Sequence, residues 1–155
     1  MNISEAGHIV NILPPVDITG GVYGDVFSMA QYDHASIIVQ VGASAAAFTK
    51  ILLLASVDNT GHSGTSVAIP FNCYKQETAA ADVLGAAVAV EATGVTPSAN
   101  DNIFYVIEVC GAELPAGKPY LELHLTNGVN SVIASAVAIL TGARHGQESS
   151  PTVLT

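Results

Sequence analysis

The most informative segment of the chain is residues 103–110, which read Ile-Phe-Tyr-Val-Ile-Glu-Val-Cys. Every second side chain is large and apolar, and this alternation predicts a strand with one buried face. Residues 120–126 read Tyr-Leu-Glu-Leu-His-Leu-Thr and alternate still more regularly. We expect the three leucines to face inward and Tyr120, Glu122 and His124 to face outward. Both segments indicate an all-β protein.

Further strand-forming runs lie between turn-forming residues. They are predicted at 26–29, 36–41, 51–57, 67–76, 86–92 and 131–140. Pro70 interrupts one of them, and because proline cannot donate a ladder hydrogen bond, that strand is expected at an edge or with a bulge. Residues 76–84 are predicted to form a helical turn or two. About eight short strands favour a two-sheet β-sandwich, with a jelly roll as the leading topology and an immunoglobulin-like sandwich as the alternative.

The chain divides into three predicted regions. Residues 1–24 contain Pro14-Pro15 and several glycines and are expected to form an extended N-terminal arm, with one short strand at residues 8–13. Residues 25–144 are expected to form the β-sandwich domain. Residues 145–155 are polar apart from Val153-Leu154 and are expected to form a C-terminal tail.

Charge limits the classes of partner. The formal net charge is −9, and only 11 % of the residues are charged. Nucleic-acid binding requires clustered Lys and Arg, and an anionic membrane repels an acidic protein, so we expect neither partner. No secretory signal or apolar run of transmembrane length is visible. A surface so poor in charge suits a protein that packs against neighbours.

The sequence offers no convincing catalytic or cofactor site. Cys73 and Cys110 are the only cysteines. Both are expected to be buried free thiols, with a disulfide between them as the alternative. Serine hydrolases of the α/β class need a Gly-x-Ser-x-Gly turn, which is missing. We therefore predict that the protein is not an enzyme and holds no cofactor.

Two places invite a metal interpretation. Glu122 and His124 stand two apart on one strand face, but a single pair of this kind can arise by chance on any polar face. They are expected to be a solvent-facing or interface pair. The loop Asp58-Asn59-Thr60-Gly61-His62-Ser63-Gly64 is expected to be a hairpin loop of turn formers, with a bound calcium ion as the alternative.

Three parts of the chain resemble small head proteins of tailed bacteriophages, the capsid decoration or cement proteins. The similarity lies in residues 25–29 with 33–42, in 98–108 and in 136–144. These are strand-forming segments that contain no chemical motif. The resemblance implies a jelly-roll or related β-sandwich. It also implies a homotrimer, made in the host cytoplasm, that sits on the outer capsid surface of the virion and clamps the major capsid protein of the expanded shell.

The resemblance also implies that the arm and the tail reach neighbouring subunits. The residues expected to contact protein partners are His8, Ile9, Val10, Ile12, Leu13, Pro14, Pro15, Val153 and Leu154. Two other functions stay open: another virion part, such as a minor head, connector or fibre-associated protein, and a carbohydrate-binding β-sandwich. Sugar-binding sites use exposed aromatic platforms, and Tyr74 and Tyr120 are the best candidates for these.

Overall fold

The computed structural model describes residues 2–44, 46–78, 80 and 82–144. These residues form eleven β-strands, one short α-helix and one 3-10 helix. The helices are α1 (Ile3–Ala6) and the 3-10 helix Gly111–Glu113. The strands are β1 (His8–Asp17), β2 (Val22–Tyr23), β3 (Phe27–Ser28), β4 (Tyr32–Ser44), β5 (Lys50–Ser56), β6 (Val67–Ile69), β7 (Phe71–Gln76), β8 (Val88–Val90), β9 (Ile103–Cys110), β10 (Tyr120–Thr126) and β11 (Val132–Ala143).

The strands form two antiparallel sheets, which confirms the predicted two-sheet sandwich. The larger sheet has six strands in the order β1-β11-β4-β9-β7-β8. The smaller sheet has the order β2-β10-β5-β6, and β3 also pairs with β10. The chain crosses repeatedly between the sheets, so that strands distant in sequence become neighbours.

One hydrophobic core fills the space between the sheets. Ile37 and Ile107 are directly opposite each other in the larger sheet, and Leu53 and Leu123 are directly opposite each other in the smaller one. All four side chains are fully buried in the same cluster. The predicted inward positions of β9 and β10 are therefore confirmed. Burial of this kind is the main source of stability in such a domain.

Pro70 separates two strands that the sequence predicted as one. β6 pairs with β5 in the smaller sheet, whereas β7 pairs with β9 in the larger sheet. Proline supplies no N–H at the point where the chain changes sheet, and no ladder bond is lost there. The predicted continuous strand 67–76 is wrong; the part before Pro70, β6, is an edge strand of the smaller sheet, whereas β7 is paired on both sides.

The N-terminal arm is the main correction to the sequence analysis. Residues His8–Asp17 form β1, a full edge strand that pairs with β11. Val10, Ile12 and Leu13 are buried in the core. The sandwich thus begins at His8, because the alternating apolar side chains of this segment complete the larger sheet.

Smaller differences concern the strand count and one helix. The predicted eight strands become eleven because several are short, such as β2 and β3. β7 extends to Gln76, and none of the described residues between 77 and 84 is helical. The predicted C-terminal tail lies outside the described residues. Among the described helices, none has the length and apolar character needed to cross a membrane.

Candidate protein-binding face

The side of the larger sheet that faces away from the core is unusually apolar. Its outward side chains form three cross-strand rows. The first row is Asn11, Val137, Ile38, Val106 and Tyr74. The second is Ile9, Ile139, Ser36, Glu108 and Asn72. The third is Ser135, Gln40, Phe104 and Gln76. We call these three rows the outer face.

The outer face differs from the usual solvent-facing side of an antiparallel sheet. Such a side normally carries polar side chains, in alternation with the buried apolar ones. Here half of the positions are apolar or aromatic, and Glu108 is the one acidic residue in the three rows, which contain no Lys or Arg. Ile9 is 52 % exposed. A surface with this composition is a candidate for contact with another protein.

Two depressions divide the outer face. A hollow of about 650 Å³ lies between α1 and the strands β1, β11 and β4. Its lining residues carry no charge: Asn2, Ile3, Ser4, Ile9, Ile38, Gln40, Ser135, Val137 and Ile139. A recess of about 410 Å³ lies nearer β7. Both are open, shallow shapes that suit contact with another protein surface.

A small polar cluster lies at the end of the recess. The Glu108 carboxylate oxygen Oε2 accepts a hydrogen bond from the Ser36 hydroxyl at 2.6 Å and lies 2.5 Å from His34 Nε2. The second imidazole nitrogen, His34 Nδ1, is 3.5 Å from Cys110 Sγ. The register explains this grouping, because His34 is opposite Cys110 and Ser36 is opposite Glu108 in the β4–β9 pair.

The Cys110 thiol is poorly suited to act as a nucleophile, although a thiol, an imidazole and a carboxylate stand in line. Desolvation together with the nearby carboxylates of Glu113 and Glu108 raises the pKa of Cys110. The reactive species is the thiolate, so a raised pKa suppresses reactivity at neutral pH. Cys110 is also exposed, which corrects the expectation of two buried thiols. Cys73 is buried, and both cysteines are free, so the disulfide alternative is wrong.

The opposite face of the sandwich holds a second cluster of titratable groups. Glu122 and His124 lie on the side of β10 away from the core, as predicted, yet Glu122 is only 4 % exposed. The loop before β6 covers it: the His62 backbone N–H donates to Glu122 Oε2 at 2.6 Å. Gly61 has a φ of 63°, and a Cβ there would lie 3.0 Å from the Glu122 carboxylate. Glycine at this position therefore allows the loop to approach Glu122 closely.

Burial controls the charge of this second cluster. It raises the pKa of Glu122, while the His62 N–H opposes the shift. Burial and the His62 charge lower the pKa of His124. Tyr23 stacks on both imidazoles. Among the described residues, no three metal-ligating side chains are grouped so that they could hold an ion.

The loop of residues 58–64 joins β5 to the antiparallel β6, which confirms the predicted hairpin loop. Asp58 Oδ1 accepts hydrogen bonds from the Thr60 backbone N–H and the Thr60 hydroxyl. These bonds lower the pKa of Asp58. The carboxylate therefore orders the turn itself, as turn-forming aspartates do.

Only some of the interface residues predicted from the sequence are accessible. Val10, Ile12 and Leu13 are core residues and cannot contact a partner, which corrects that part of the prediction. Ile9 lies on the outer face, and Pro14 and Pro15 are exposed. His8 is half-buried and stacks on Tyr32. Val153 and Leu154 lie outside the described residues.

The sequence analysis missed the outer-face residues of β4, β9 and β11. The signal was present in β4, where residues 36–41 are almost continuously apolar instead of alternating. A continuous run predicts a strand with apolar side chains on both faces. Tyr74 and Tyr120, the predicted aromatic platform, lie on different sheets and do not form one surface.

Comparison with known proteins gives no relative. No family model, no curated protein and no solved structure matches this chain. The geometry of the outer face is therefore the main basis for a functional conclusion.

Proposed function

We propose that this chain is a structural virion protein that decorates the outside of an expanded phage capsid and stabilises it by binding the major capsid protein. The observation that carries the proposal is the outer face, a charge-poor apolar surface on the larger sheet. The adhesion is noncovalent. No step of chemistry is required of the protein.

The segments that resemble decoration proteins support the same surface. Residues 33–42 lie in β4, residues 98–108 contain most of β9, and residues 136–144 contain the end of β11. These three strands are adjacent in the larger sheet and carry the centre of the outer face. Most of the similarity thus coincides with the apolar surface, whereas residues 25–29 contain β3, which pairs with β10 in the smaller sheet.

The physical basis of clamping is repetition of a modest contact. Apolar surface removed from water contributes roughly 25 cal/mol per Å². Each copy needs only a moderate contact area, because a symmetric shell repeats the contact many times and avidity makes the coat hard to detach. A homotrimer, which the resemblance implies, would add further contacts per particle. Its mass in solution by light scattering should be three times the 15.8 kDa of one chain.

The direct test is co-sedimentation of the purified protein with phage heads that lack it, comparing expanded with unexpanded shells. We expect saturable binding to expanded heads. Ile38→Asp places a charge at the centre of the outer face and should abolish binding. Val129→Asp adds the same charge at a loop residue that is 91 % exposed and should bind normally. Absence of binding to both shells, or equal binding by both variants, would contradict the proposal.

A further inference from the structure

The recess at one end of the outer face has the shape and polarity of a side-chain receptor. Its volume is about 410 Å³. It is lined by His34, Ser36, Tyr74, Leu84, Val106 and Glu108. His34, Ser36 and Glu108 form the polar end of the recess. Tyr74, Leu84 and Val106 form its apolar walls.

The Glu108 carboxylate at the polar end uses only part of its capacity to accept hydrogen bonds. Ser36 and His34 both contact the same oxygen, Glu108 Oε2. Among the described residues, no hydrogen bond reaches Oε1. An ionised carboxylate can accept several hydrogen bonds, so Oε1 retains capacity for a donor from outside the chain. No Lys or Arg of this chain lines the recess.

The walls of the recess suit an alkyl stem. Tyr74 and Val106 are directly opposite each other on β7 and β9. Leu84 is held beside them because the next residue, Gly85, donates its N–H to the Lys75 carbonyl at 2.9 Å. The Tyr74 ring also offers a π-face, which attracts a cation close to it. Long basic side chains have this combination of an apolar stem and a charged head.

We propose that the recess receives one Lys or Arg side chain of the surface that the outer face binds, with the stem between Tyr74, Leu84 and Val106 and the cationic head on Glu108. This inference rests on the proposed function for the identity of that surface. Charge complementarity supports it: the chain has a formal charge of −9, and Glu108 is the one acidic group within the outer face. A charge-assisted hydrogen bond would position an otherwise apolar contact.

The pairing can be tested without any capsid by NMR titration of the full chain with n-butylguanidinium and n-butylammonium. We expect saturable shifts at the amides of Ser36, Tyr74 and Val106, with dissociation constants on the order of millimolar for ligands this small. Added NaCl should weaken the binding, because it screens the ion pair. Butyrate, which has the opposite charge, should cause no saturable shift.

Two variants and a control make the test specific. Glu108→Gln keeps the shape of the recess and should weaken probe binding at least about fivefold. Tyr74→Leu keeps the carboxylate and should weaken it less. Glu91→Gln removes one charge from an exposed residue that does not line the recess and should bind as the wild type does. No saturable shift in the wild type, or equal binding by Glu108→Gln, would overturn the inference.

The same variants separate this inference from the proposed function. If the probes bind but the protein does not co-sediment with heads, the recess is a receptor for a cation and the capsid role is wrong. If the protein binds heads and the probes do not bind, the capsid role stands, and the proposal that the recess receives a basic side chain is wrong. If Glu108→Gln loses both activities while Glu91→Gln keeps both, both conclusions are supported together.

Discussion

The ring of Tyr23 stacks on the imidazole of His124, with centroids 3.9 Å apart and an interplanar angle of 12°. The contact joins β2 to β10 on the outside of the smaller sheet, where the two residues are directly opposite each other. Burial, together with the charge of His62, lowers the pKa of His124 below its usual value of 6.5. The neutral imidazole is therefore the form that the folded protein prefers.

This preference predicts a pH dependence of stability. Below pH 6.5 the unfolded chain gains a proton at His124 before the folded chain does, so the free energy of unfolding falls as the pH falls. One such group contributes at most about 1.4 kcal/mol per pH unit. His124→Phe keeps an aromatic ring on Tyr23 but does not titrate. In urea unfolding at pH 7.5 and 5.5, the wild type should lose more stability than this variant.

The raised pKa of Glu122 acts in the opposite direction, because protonation relieves the cost of burying its charge. Both proteins in the comparison retain Glu122. The difference between them therefore isolates His124. An equal pH dependence of wild type and His124→Phe would show that the stack does not control the imidazole.

One face of β9 is packed in the core and the other lies on the outer face. Substitutions at two neighbouring residues of β9 should therefore reduce the free energy of unfolding by different amounts. Ile107 is fully buried in the core, and Ile107→Ala should reduce the free energy of unfolding by about 2–5 kcal/mol. Val106 is half-buried on the outer face, and Val106→Ala should cost less than about 1 kcal/mol. Equilibrium urea denaturation measures both. Equal costs would mean that the outer face is packed as tightly as the core.

Strands that alternate cleanly could be predicted from the sequence. The bounds of β9 and β10 agree with the predicted segments 103–110 and 120–126. The alternation of side chains is a local property that appears wherever one face is buried and the other is polar. The same local reasoning could not assign faces in β4, because an apolar run has no polar side to orient it.

Features that depend on distant parts of the chain were not predictable. Pro14 and Pro15 indicated an irregular arm, but β1 is an edge strand whose pairing shifts register between Leu13 and Val16. An edge strand tolerates proline at such an irregularity, because one side of its backbone needs no partner strand. Likewise, the group of His34 and Glu108 depends on the β4–β9 register, which joins residues 74 positions apart.

The role of β1 can be tested by truncation. None of the residues of α1 is buried, so removing residues 2–6 should change stability by less than about 1 kcal/mol. Removing residues 2–15 also deletes Val10, Ile12 and Leu13 from the core. Each buried side chain contributes about 1.5–3 kcal/mol, so the sum is comparable with the total stability of a small domain. Circular dichroism and urea unfolding should show a folded short truncation and an unfolded long one. Cooperative unfolding of the longer truncation would mean that β1 is dispensable.

The two cysteines should differ sharply in reactivity. Cys73 lies on β7 with its side chain fully buried in the core, and burial raises its pKa to about 11. Cys110 is exposed at the end of β9. Ellman's reagent at pH 8 should therefore titrate one thiol per chain in the native protein and two in urea. The reaction of the native protein should be slow, because the pKa of Cys110 is also raised.

The variant Cys110→Ser identifies the reacting thiol. It should leave no thiol accessible in the native state and one in urea. His34→Ala removes the imidazole that lies 3.5 Å from Cys110 Sγ and should change the rate of reaction but not the number of reactive thiols. Two thiols in the native protein would mean that the larger sheet opens at β7, and none in urea without reductant would mean that the two cysteines pair. One thiol that survives in Cys110→Ser would instead place the reactive group at Cys73, inside the core.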